Sequence, residues 1–391
     1  MESNDVIVIG GGINGACTTY YLAKNKMKVL LIDKSHIAGG PTGVSSAIVR
    51  QHYSNPVTIR MALESLNAWQ NFSEITGERA VFTETGFLLG ARAEDVESLK
   101  ANIAMQRSIG INTCFISVKE VRDLEPYLDS NGMAGAAYEP ESGYCDPIEA
   151  ANGFAHAARR LGATIKTGLL VTSIQVDHGK VTGVITVSGS ISAGKVIIAA
   201  GPWSNSLLQG LNRKTPMITT RVKVGIYRRP DDFSHHGIWA DFITQVYLRP
   251  ETGGLMLVGS ISPQDETGEQ VSDPDHFNER VDIETTSNLI ERVAMRYPAM
   301  ERSHVTNSYA SLYDITPDWH PILDAVPGVE GLYLCAGGSG HGFKLGPAVG
   351  RMMADLVING KDPMDDINLF SWDRFESGSQ VHGQYDYSIL G

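Results

Sequence analysis

Cysteine is scarce in this sequence, and long apolar runs are missing. The four cysteines among 391 residues form no C-x-x-C pair, so no cysteine-based metal or redox pair is indicated. No apolar run approaches the roughly 18 residues that a membrane span needs. The first strand begins so close to Met1 that we expect no signal peptide. These features predict a cytoplasmic protein.

Positive charge is also in short supply. Lysine and arginine number 32 against 44 acidic residues, which gives a net charge of −12. This balance disfavours nucleic acid or an anionic membrane as the main partner. It does not prevent one local basic site from holding an acidic substrate. His235 and His236 stand together in a polar segment, but we expect no metal site.

The strongest pattern that is present lies between Val6 and Asp33. An apolar run, Val6–Ile9, predicts a buried parallel strand, and Gly10, Gly12 and Gly15 follow it with G-x-G-x-x-G spacing. A helical segment, a second strand and Asp33 complete a βαβ unit. The glycines permit a tight turn and close approach to a pyrophosphate, while Asp33 can accept hydrogen bonds from ribose hydroxyls. The unit predicts a dinucleotide site; a βαβ unit without cofactor is the alternative.

Two later segments predict that the dinucleotide is FAD. The apolar run that ends at Ala200-Gly201 brings backbone against a flat ligand, unless it is an ordinary strand exit. The segment GGSGHGFKLGP, at 337–347, places glycines and Lys344 before a helix. It predicts a second anion site at a helix N-terminus, with positive charge that a flavin needs where reduction builds negative charge. NAD does not need this second site, although an NAD-dependent dehydrogenase remains an alternative.

The segments GGGING, AAGPWS and GSGHGFK together resemble the D-amino acid oxidase superfamily of FAD enzymes. The similarity is to the sarcosine oxidase branch, which includes the β-subunits of heterotetrameric sarcosine oxidases and of proline dehydrogenase complexes. It implies an α/β plus α+β fold: a Rossmann-type βαβ lobe that binds FAD, and an inserted substrate lobe built on a large, mostly antiparallel or mixed sheet. We predict that residues 1–81, 146–213 and 311–391 form the first domain, and residues 82–145 and 214–310 the second.

The resemblance also implies roles for single residues. Arg50, in IVRQHY, matches an arginine that grips the substrate carboxylate, and Lys344 matches a second carboxylate partner beside the flavin. Tyr247 matches a tyrosine that lines the substrate pocket. A surface ion pair for Arg50 and plain core packing for Tyr247 are the alternatives. We interpret His341 as a residue that positions backbone or bonds the cofactor, not as a general base.

The cofactor-binding residues predicted from these segments lie in four parts of the chain. They are Gly10, Gly12, Ile13, Asn14, Gly15, Asp33, Lys34, Thr42, Ser45, Ser46, Val171, Ala200, Gly201, Trp203, Gly338, Ser339, Gly340, His341, Gly342, Phe343 and Lys344.

Two departures from the family pattern change the expected chemistry. Ser311 stands where monomeric sarcosine oxidases attach flavin to a cysteine, so we expect non-covalent FAD. No lysine occurs in the run Leu255 to Gly259, which matches the strand carrying the lysine that helps oxygen react in those enzymes. Dehydrogenase behaviour is therefore as open as oxidase behaviour, with O2, an electron-acceptor protein or a quinone as acceptor.

The sequence thus predicts oxidation of the C–N bond of a small amino acid that carries a carboxylate. A secondary or N-methyl amine such as sarcosine or proline is expected, with hydride transfer to flavin N5 and hydrolysis of the imine. Three alternatives stay open: a D-amino acid dehydrogenase, a 2-hydroxy acid dehydrogenase, or an FAD-bearing β-subunit of a multi-subunit dehydrogenase. A homo- or hetero-oligomer is possible under each of them.

Overall fold

The computed structural model of the chain describes residues 4–234, 237–360 and 366–383. His235 and His236, where we expected no metal site, lie outside these described residues. The α-helices in the described ranges are α1 (Ile13–Lys24), α2 (Pro56–Gln70), α3 (Phe72–Thr76), α4 (Val96–Ile109), α5 (Val118–Leu124), α6 (Pro147–Arg160), α7 (Ser204–Gln209), α8 (Pro263–Thr267), α9 (Ile283–Ala294), α10 (Gly346–Asn359) and α11 (Arg374–Ser377).

The β-strands in the same ranges are β1 (Asn4–Ile9), β2 (Val29–Ile32), β3 (Ile48–Val49), β4 (Phe82–Glu84), β5 (Phe87–Ala91), β6 (Cys114–Ile116), β7 (Gly135–Glu139), β8 (Gly143–Cys145), β9 (Thr164–Lys166), β10 (Val171–Asp177), β11 (Lys180–Thr186), β12 (Gly189–Ile198), β13 (Ile218–Arg228), β14 (Ile238–Asp241), β15 (Val246–Glu251), β16 (Leu255–Ser260), β17 (His304–Ile315), β18 (Ile322–Ala325) and β19 (Leu332–Ala336).

The first sheet is built on five parallel strands in the order β19-β12-β1-β2-β9. Strand β18 pairs antiparallel with β19. Strands β10 and β11 form an antiparallel hairpin, and β11 pairs antiparallel with the first half of β12. Val6 and Val8 face a core shared with α1, α6 and α10, whereas Ile7 and Ile9 face the hairpin and α7. Burial on both faces explains why β1 is apolar throughout.

The second sheet has the order β17-β13-β16-β15-β14-β5-β7-β6. All neighbours in it are antiparallel except β14 and β5, which are parallel. This mixed sheet beside a parallel βαβ sheet confirms the predicted fold class. Strand β17 stays paired with β13 as far as Ile315, beyond the domain boundary predicted at residue 311. The domain division itself stays a prediction.

A small third sheet has the strand order β3-β8-β4. Its strand β3 ends at Val49, which pairs with Gly143. Arg50 follows directly, and its side chain is 5 % exposed. The short sheet therefore fixes the backbone from which Arg50 projects.

Candidate functional site

The turn between β1 and α1 brings the backbone closer to itself than a side chain would permit. Gly10 has φ +111°, and a Cβ there would lie 2.3 Å from the carbonyl oxygen of Ala199. A Cβ at Gly15 would lie 1.9 Å from the carbonyl oxygen of Gly10. Gly12 precedes the helix, and a Cβ there would lie 3.0 Å from Thr42 Oγ1. Glycine is thus required by the turn itself, as a phosphate-binding turn demands.

Asp33 and Thr42 tie the following loop to this turn. Asp33 Oδ2 accepts a hydrogen bond of 2.7 Å from the amide of Gly11, and Oδ1 accepts one of 2.7 Å from the amide of Ser35. Thr42 Oγ1 accepts a 3.1 Å hydrogen bond from the amide of Ile13. Each carboxylate oxygen retains a second acceptor position. Asp33 is therefore held where a ribose hydroxyl could still donate to it.

Lys34 and Trp203 both contact Asp275, a residue that was not predicted from the sequence to belong to the site. The Lys34 ammonium pairs with Asp275 and lies 3.8 Å from the centroid of the Trp203 ring. Trp203 Nε1 donates a 3.0 Å hydrogen bond to Asp275 Oδ1. Asp275 belongs to the segment between α8 and α9, so the three side chains join the first sheet's loops to a distant part of the chain. Their predicted contact with cofactor stays a prediction.

The glycine-rich segment near the end of the chain lies against the start of α1. A Cβ at Gly342 would lie 3.5 Å from Asn14 Nδ2, and one at Gly346 would lie 2.8 Å from Ile13 Cγ1. Helices α1 and α10 therefore begin side by side, and neither has an acidic residue in its first turn. Among the described residues, Asn14 Oδ1 and His341 Nε2 are buried with no hydrogen-bond partner. Two helix N-termini with unpartnered polar atoms between them fit an anionic, hydrogen-bonding ligand such as the FAD pyrophosphate.

Asp314 connects the two glycine-rich strand ends. Its Oδ2 accepts a 2.7 Å hydrogen bond from the amide of Gly337, and its carbonyl accepts one of 3.0 Å from the amide of Ser339. Positions for a Cβ at Gly338 and Gly201 lie 3.6 and 4.0 Å from the Asp314 carboxylate. Burial raises the pKa of this carboxyl, although the amide of Gly337 opposes the shift. Asp314 thus fixes the turn at Gly337–Ser339 by hydrogen bonds and lies close to the turn at Gly201.

Three further predicted cofactor residues are placed by ordinary backbone structure. Val171 is buried at the start of β10 and pairs with Thr186. The carbonyl of Ala200 accepts a 3.1 Å hydrogen bond from the amide of Trp203. Ser45 Oγ accepts a 3.0 Å hydrogen bond from the amide of Ala47. Their roles toward cofactor stay predictions.

Arg50 lies in a buried aromatic and polar setting. Its guanidinium lies 4.6 Å from the centroid of the Tyr53 ring and donates to the carbonyl of His52. Tyr53 in turn hydrogen-bonds His341 Nδ1 at 3.1 Å through its hydroxyl. Burial, followed by the charges of Lys344 and Arg50, lowers the pKa of His341 well below its usual value. Because a histidine with a strongly lowered pKa binds a proton weakly, His341 would be a poor general base, in agreement with the interpretation given above.

Lys344 is brought to the same place from the other end of the chain. It is 8 % exposed, and its Nζ donates a 3.1 Å hydrogen bond to the carbonyl of Gly340. The carbonyl of Lys344 accepts a 3.1 Å hydrogen bond from Trp69 Nε1, and the Phe343 ring stacks on Trp69 at 5.2 Å. Burial first, and then the charge of Arg50, lowers the pKa of Lys344 well below its usual value. Phe343 therefore points into the core, and any cofactor contact it makes is through its backbone.

Tyr247 faces the loop that carries the predicted cofactor residues. Its hydroxyl and Ser46 Oγ share a hydrogen bond, and its ring lies across Gly259, where a Cβ would be 2.4 Å from the hydroxyl oxygen. Burial raises the pKa of the Tyr247 hydroxyl, and Glu266 contributes to the rise. Tyr247 is thus a protonated donor at the boundary between the two sheets, and its contact with substrate stays a prediction.

Sequence reasoning missed four residues that hold this site: Tyr53, Trp69, Asp314 and Glu266. Tyr53 and Trp69 appear in the sequence as an aromatic after Arg50 and a member of an apolar helical face, which gives no signal of their contacts with His341 and Lys344. Asp314 lies three residues after Ser311, and its sequence neighbourhood gives no signal of its contacts with Gly337 and Ser339. The described residues contain no group of three or more histidine, cysteine, aspartate or glutamate residues arranged to hold a metal.

No helix within the described ranges has the length and the apolar character needed to cross a bilayer. This statement covers residues 4–234, 237–360 and 366–383 alone.

Comparison with known proteins gives consistent matches across the whole chain. A family model described as "DAO: FAD dependent oxidoreductase" matches residues 5–356. The sarcosine oxidase subunit beta of Arthrobacter sp is 26% identical over 397 residues, which is 98% of this chain and 94% of that protein. The human peroxisomal sarcosine oxidase is 29% identical over 393 residues, covering 97% of this chain and 98% of that protein.

Solved structures give the same result for the fold. The L-proline dehydrogenase from P. horikoshii is 27% identical with a TM-score of 0.89, and covers 97% of this chain and 100% of that one. The glycine oxidase from Geobacillus kaustophilus is 26% identical with a TM-score of 0.81, and covers 96% of this chain and 99% of that one. The sequence resemblance to FAD-dependent oxidoreductases of the sarcosine oxidase type is therefore confirmed.

Proposed function

Because the chain belongs to the DAO family of FAD-dependent oxidoreductases, we propose that it oxidises the C–N bond of a small amino acid. A secondary or N-methyl amine such as sarcosine or proline is the substrate class we favour. The observation that carries the proposal is that two buried basic side chains, Arg50 and Lys344, act electrostatically on each other and on the buried His341. The relatives named as sarcosine oxidases, proline dehydrogenase and glycine oxidase support the same reaction class.

The electrostatics of the two cations favour an acid group as their ligand. Burying two like charges together is unfavourable, and Arg50 accordingly lowers the pKa of Lys344. A carboxylate placed between them would offset the repulsion and accept two parallel hydrogen bonds from the Arg50 guanidinium. The pocket should therefore bind small carboxylates, and the carboxylate of an amino acid would fix the adjacent carbon.

The residues proposed to hold FAD are the glycine turn at Gly10, the carboxylate of Asp33 and the paired starts of α1 and α10. When bound, FAD supplies the two-electron acceptor that takes the hydride from carbon. The protein contributes orientation, exclusion of water and fixed charge, which are the main requirements of this chemistry. Attachment of FAD should be non-covalent, because Ser311 occupies the position expected for a flavin-binding cysteine.

The acceptor, the assembly and the location are proposals at a finer level. We propose that the reduced flavin passes its electrons to O2, to an electron-acceptor protein or to a quinone. A hetero-oligomer is supported by similarity to a protein named as a subunit of sarcosine oxidase, which spans nearly the same length. A cytoplasmic site of action is proposed from composition alone. Slow turnover with O2 but fast turnover with an artificial acceptor would favour the role of an FAD-bearing subunit.

Anaerobic reduction tests the proposed reaction. The purified yellow protein is mixed with sarcosine, proline, glycine, D-alanine or lactate, and bleaching of the oxidised flavin absorbance is followed. Sarcosine or proline should bleach the flavin fastest. Faster bleaching by lactate would instead indicate a 2-hydroxy acid enzyme, and faster bleaching by D-alanine would indicate a D-amino acid enzyme. A colourless protein that takes up no FAD would refute the assignment.

Replacing Arg50 tests the carboxylate site. Arg50→Met keeps the length of the chain but removes the buried charge, and should weaken substrate reduction by roughly 2–5 kcal/mol, or about 30- to 5,000-fold, because the substrate carboxylate loses its partner. Arg60→Met is the matched control, since Arg60 pairs with Asp366 on the outside of α2. FAD should remain bound in both variants. Reduction of the Arg50 variant at the wild-type rate would remove Arg50 from the site.

A further inference from the structure

Glu266 is a buried carboxyl group whose hydrogen-bonding capacity is not used. It lies near the end of the short helix α8 and is 3 % exposed. Its amide donates a 3.1 Å hydrogen bond to the carbonyl of Ser262, which fixes the backbone. Within the described part of the chain, its Oε2 is buried and has no hydrogen-bond partner. An unpaired buried carboxyl is costly, so its presence calls for a ligand or a function.

The groups around Glu266 are those of the candidate substrate site. Lys344 and Arg50 act on it as positive charges that lower its pKa, and Asp265, on the same helix, acts as a negative charge that raises it. Burial is the largest effect, and the pKa of Glu266 lies well above its usual value. The hydroxyls of Tyr247, on β15, and Tyr313, on β17, also experience the Glu266 charge.

A second buried carboxyl near Arg50 shows the contrast. Glu139 Oε2 accepts hydrogen bonds of 2.8 Å from the amide of Gln51 and 2.7 Å from Ser142 Oγ. These bonds hold a backbone turn, and the side chain is fully buried. Glu139 is therefore held by structural hydrogen bonds through Oε2, although its Oε1 is buried with no hydrogen-bond partner among the described residues. Within the described residues, the Glu266 side chain makes no such hydrogen bonds, and the charge of Arg50 acts on both carboxyls.

We propose that Glu266 accepts the proton that the substrate's ammonium group must lose before its C–N bond can be oxidised. The proposal rests on the function proposed above, since it assigns the amino end of the same substrate. One N–H bond of the ammonium breaks, one O–H bond forms on Glu266, and the nitrogen lone pair is freed. No electrons are gained or lost in this step, and the proton later passes to solvent.

Substrate binding itself would favour this transfer. In the absence of substrate, Arg50 and Lys344 stabilise the ionised form of Glu266. A substrate carboxylate that binds the two cations offsets their charge and so raises the proton affinity of Glu266. The ammonium charge opposes this rise until its proton has been transferred, which leaves the amine neutral. A buried carboxyl with raised proton affinity is a suitable general base. The cations that bind the substrate carboxylate and the carboxylate that accepts the ammonium proton are thus electrostatically coupled.

The pH dependence of reduction in Glu266→Gln tests this role. An aliphatic amine with a pKa of about 10 is neutral to roughly one part in 1,000 at pH 7. Without its proton acceptor, the variant should be reduced as much as roughly 1,000-fold more slowly at pH 7, and its rate should rise about tenfold per pH unit toward the wild-type rate. A rate that equals wild type at every pH, or that is lower by one constant factor, would overturn the proposal.

Acetate binding supplies a measurement that does not depend on turnover. Acetate carries the carboxylate without an amine, and ionised Glu266 should compete with it for Arg50 and Lys344. The affinity of the wild-type protein for acetate, followed by flavin absorbance, should therefore fall as Glu266 ionises. Glu266→Gln should bind acetate at least as tightly and with less dependence on pH. Identical pH profiles for the two proteins would show that Glu266 does not face the cations, and would refute the proposal.

A control variant and a second substitution complete the test. Asp265→Asn removes a charge from the same helix turn, where Asp265 pairs with Arg292. It should keep the form of the wild-type pH profile but shift it toward lower pH, because the Asp265 charge raises the pKa of Glu266. If Glu266→Gln fails to retain FAD, Glu266→Asp is used, which should be slower than wild type but keep its pH profile. Failure of every amino acid to reduce the wild-type protein would refute the proposed function, whereas the acetate titration would still decide the position of Glu266.

Discussion

Replacement of His52 should make the protein more resistant to mild acid. His52 is fully buried, with its Nδ1 3.3 Å from Gln106 Nε2 and 3.8 Å from Glu139 Oε1. Burial first, and then the charge of Arg50, lowers the pKa of His52 from 6.5 to about 3. Folding therefore holds this ring neutral at a pH where the unfolded chain protonates it.

The sign and size of the effect follow from this difference in pKa. Below pH 6.5 the unfolded state binds a proton at His52 that the folded state does not, so the free energy of unfolding falls as the pH falls. The loss from this residue is about 2 kcal/mol at pH 5 and about 3 kcal/mol at pH 4, and it ends near the folded pKa. Glu139, whose pKa is raised by burial, contributes in the opposite direction: its protonated folded form adds stability at low pH that is lost as the pH rises.

His52→Gln isolates the histidine contribution. Urea unfolding of the FAD-loaded wild type and variant is measured between pH 4 and pH 8, and the difference between their unfolding free energies is plotted against pH. The variant should gain about 2 kcal/mol relative to wild type between pH 7 and pH 5. His178→Asn is the control, because the His178 side chain is 96 % exposed and its loss should leave the profile unchanged. A pH-independent difference for His52→Gln would refute the reasoning.

Two further experiments test the close backbone approach at Gly15 and the buried ion pair between Arg296 and Asp241. Gly15→Ala should destabilise the protein by roughly 1–3 kcal/mol and reduce FAD retention after dialysis, because its Cβ would contact the carbonyl of Gly10; retention equal to wild type would contradict the close approach. Arg296→Met should cost about 3–5 kcal/mol in urea unfolding, because the buried Asp241 carboxylate keeps its hydrogen bonds to Ile243 and Thr244 but loses its only ion-pair partner among the described residues. Arg302→Met, at an exposed ion pair, should cost within about 1 kcal/mol. Equal effects of the two arginine variants would count against the buried pair.

The elements nearest the N-terminus were predictable because their signals are local. Glycine spacing, a short apolar run and a terminal acid each act within about thirty residues, and the structure forms β1, α1 and β2 as predicted. The fold class and the FAD-dependent family were also predictable from three separated segments. The domain boundaries were not tested by the comparisons, and β17 shows why they are hard to read: one strand runs through the predicted boundary without a break.

The contacts of the candidate site could not be read in the same way. Trp69 holds the carbonyl of Lys344 across 275 residues of sequence, and Tyr53 holds His341 across 288. No local pattern marks such pairs, because each residue also fits a plain structural role in its own segment. Glu266 lies in a polar helix of five residues, a segment with no sequence signal of burial. Only packing revealed that it is buried beside two cations.

The amino-acid sequence by itself determined the βαβ unit, the choice of FAD over NAD, and the identity of Arg50 and Lys344 as candidates. The βαβ unit and the choice of FAD depend on residue type and short-range spacing, which act through backbone geometry. The roles of Arg50 and Lys344 depend on the resemblance to a known family. The tertiary structure decided which charges share one buried space: Arg50, Lys344 and Glu266 come from three distant segments. Their proton affinities follow from burial and mutual distance, and neither quantity exists until the chain has folded.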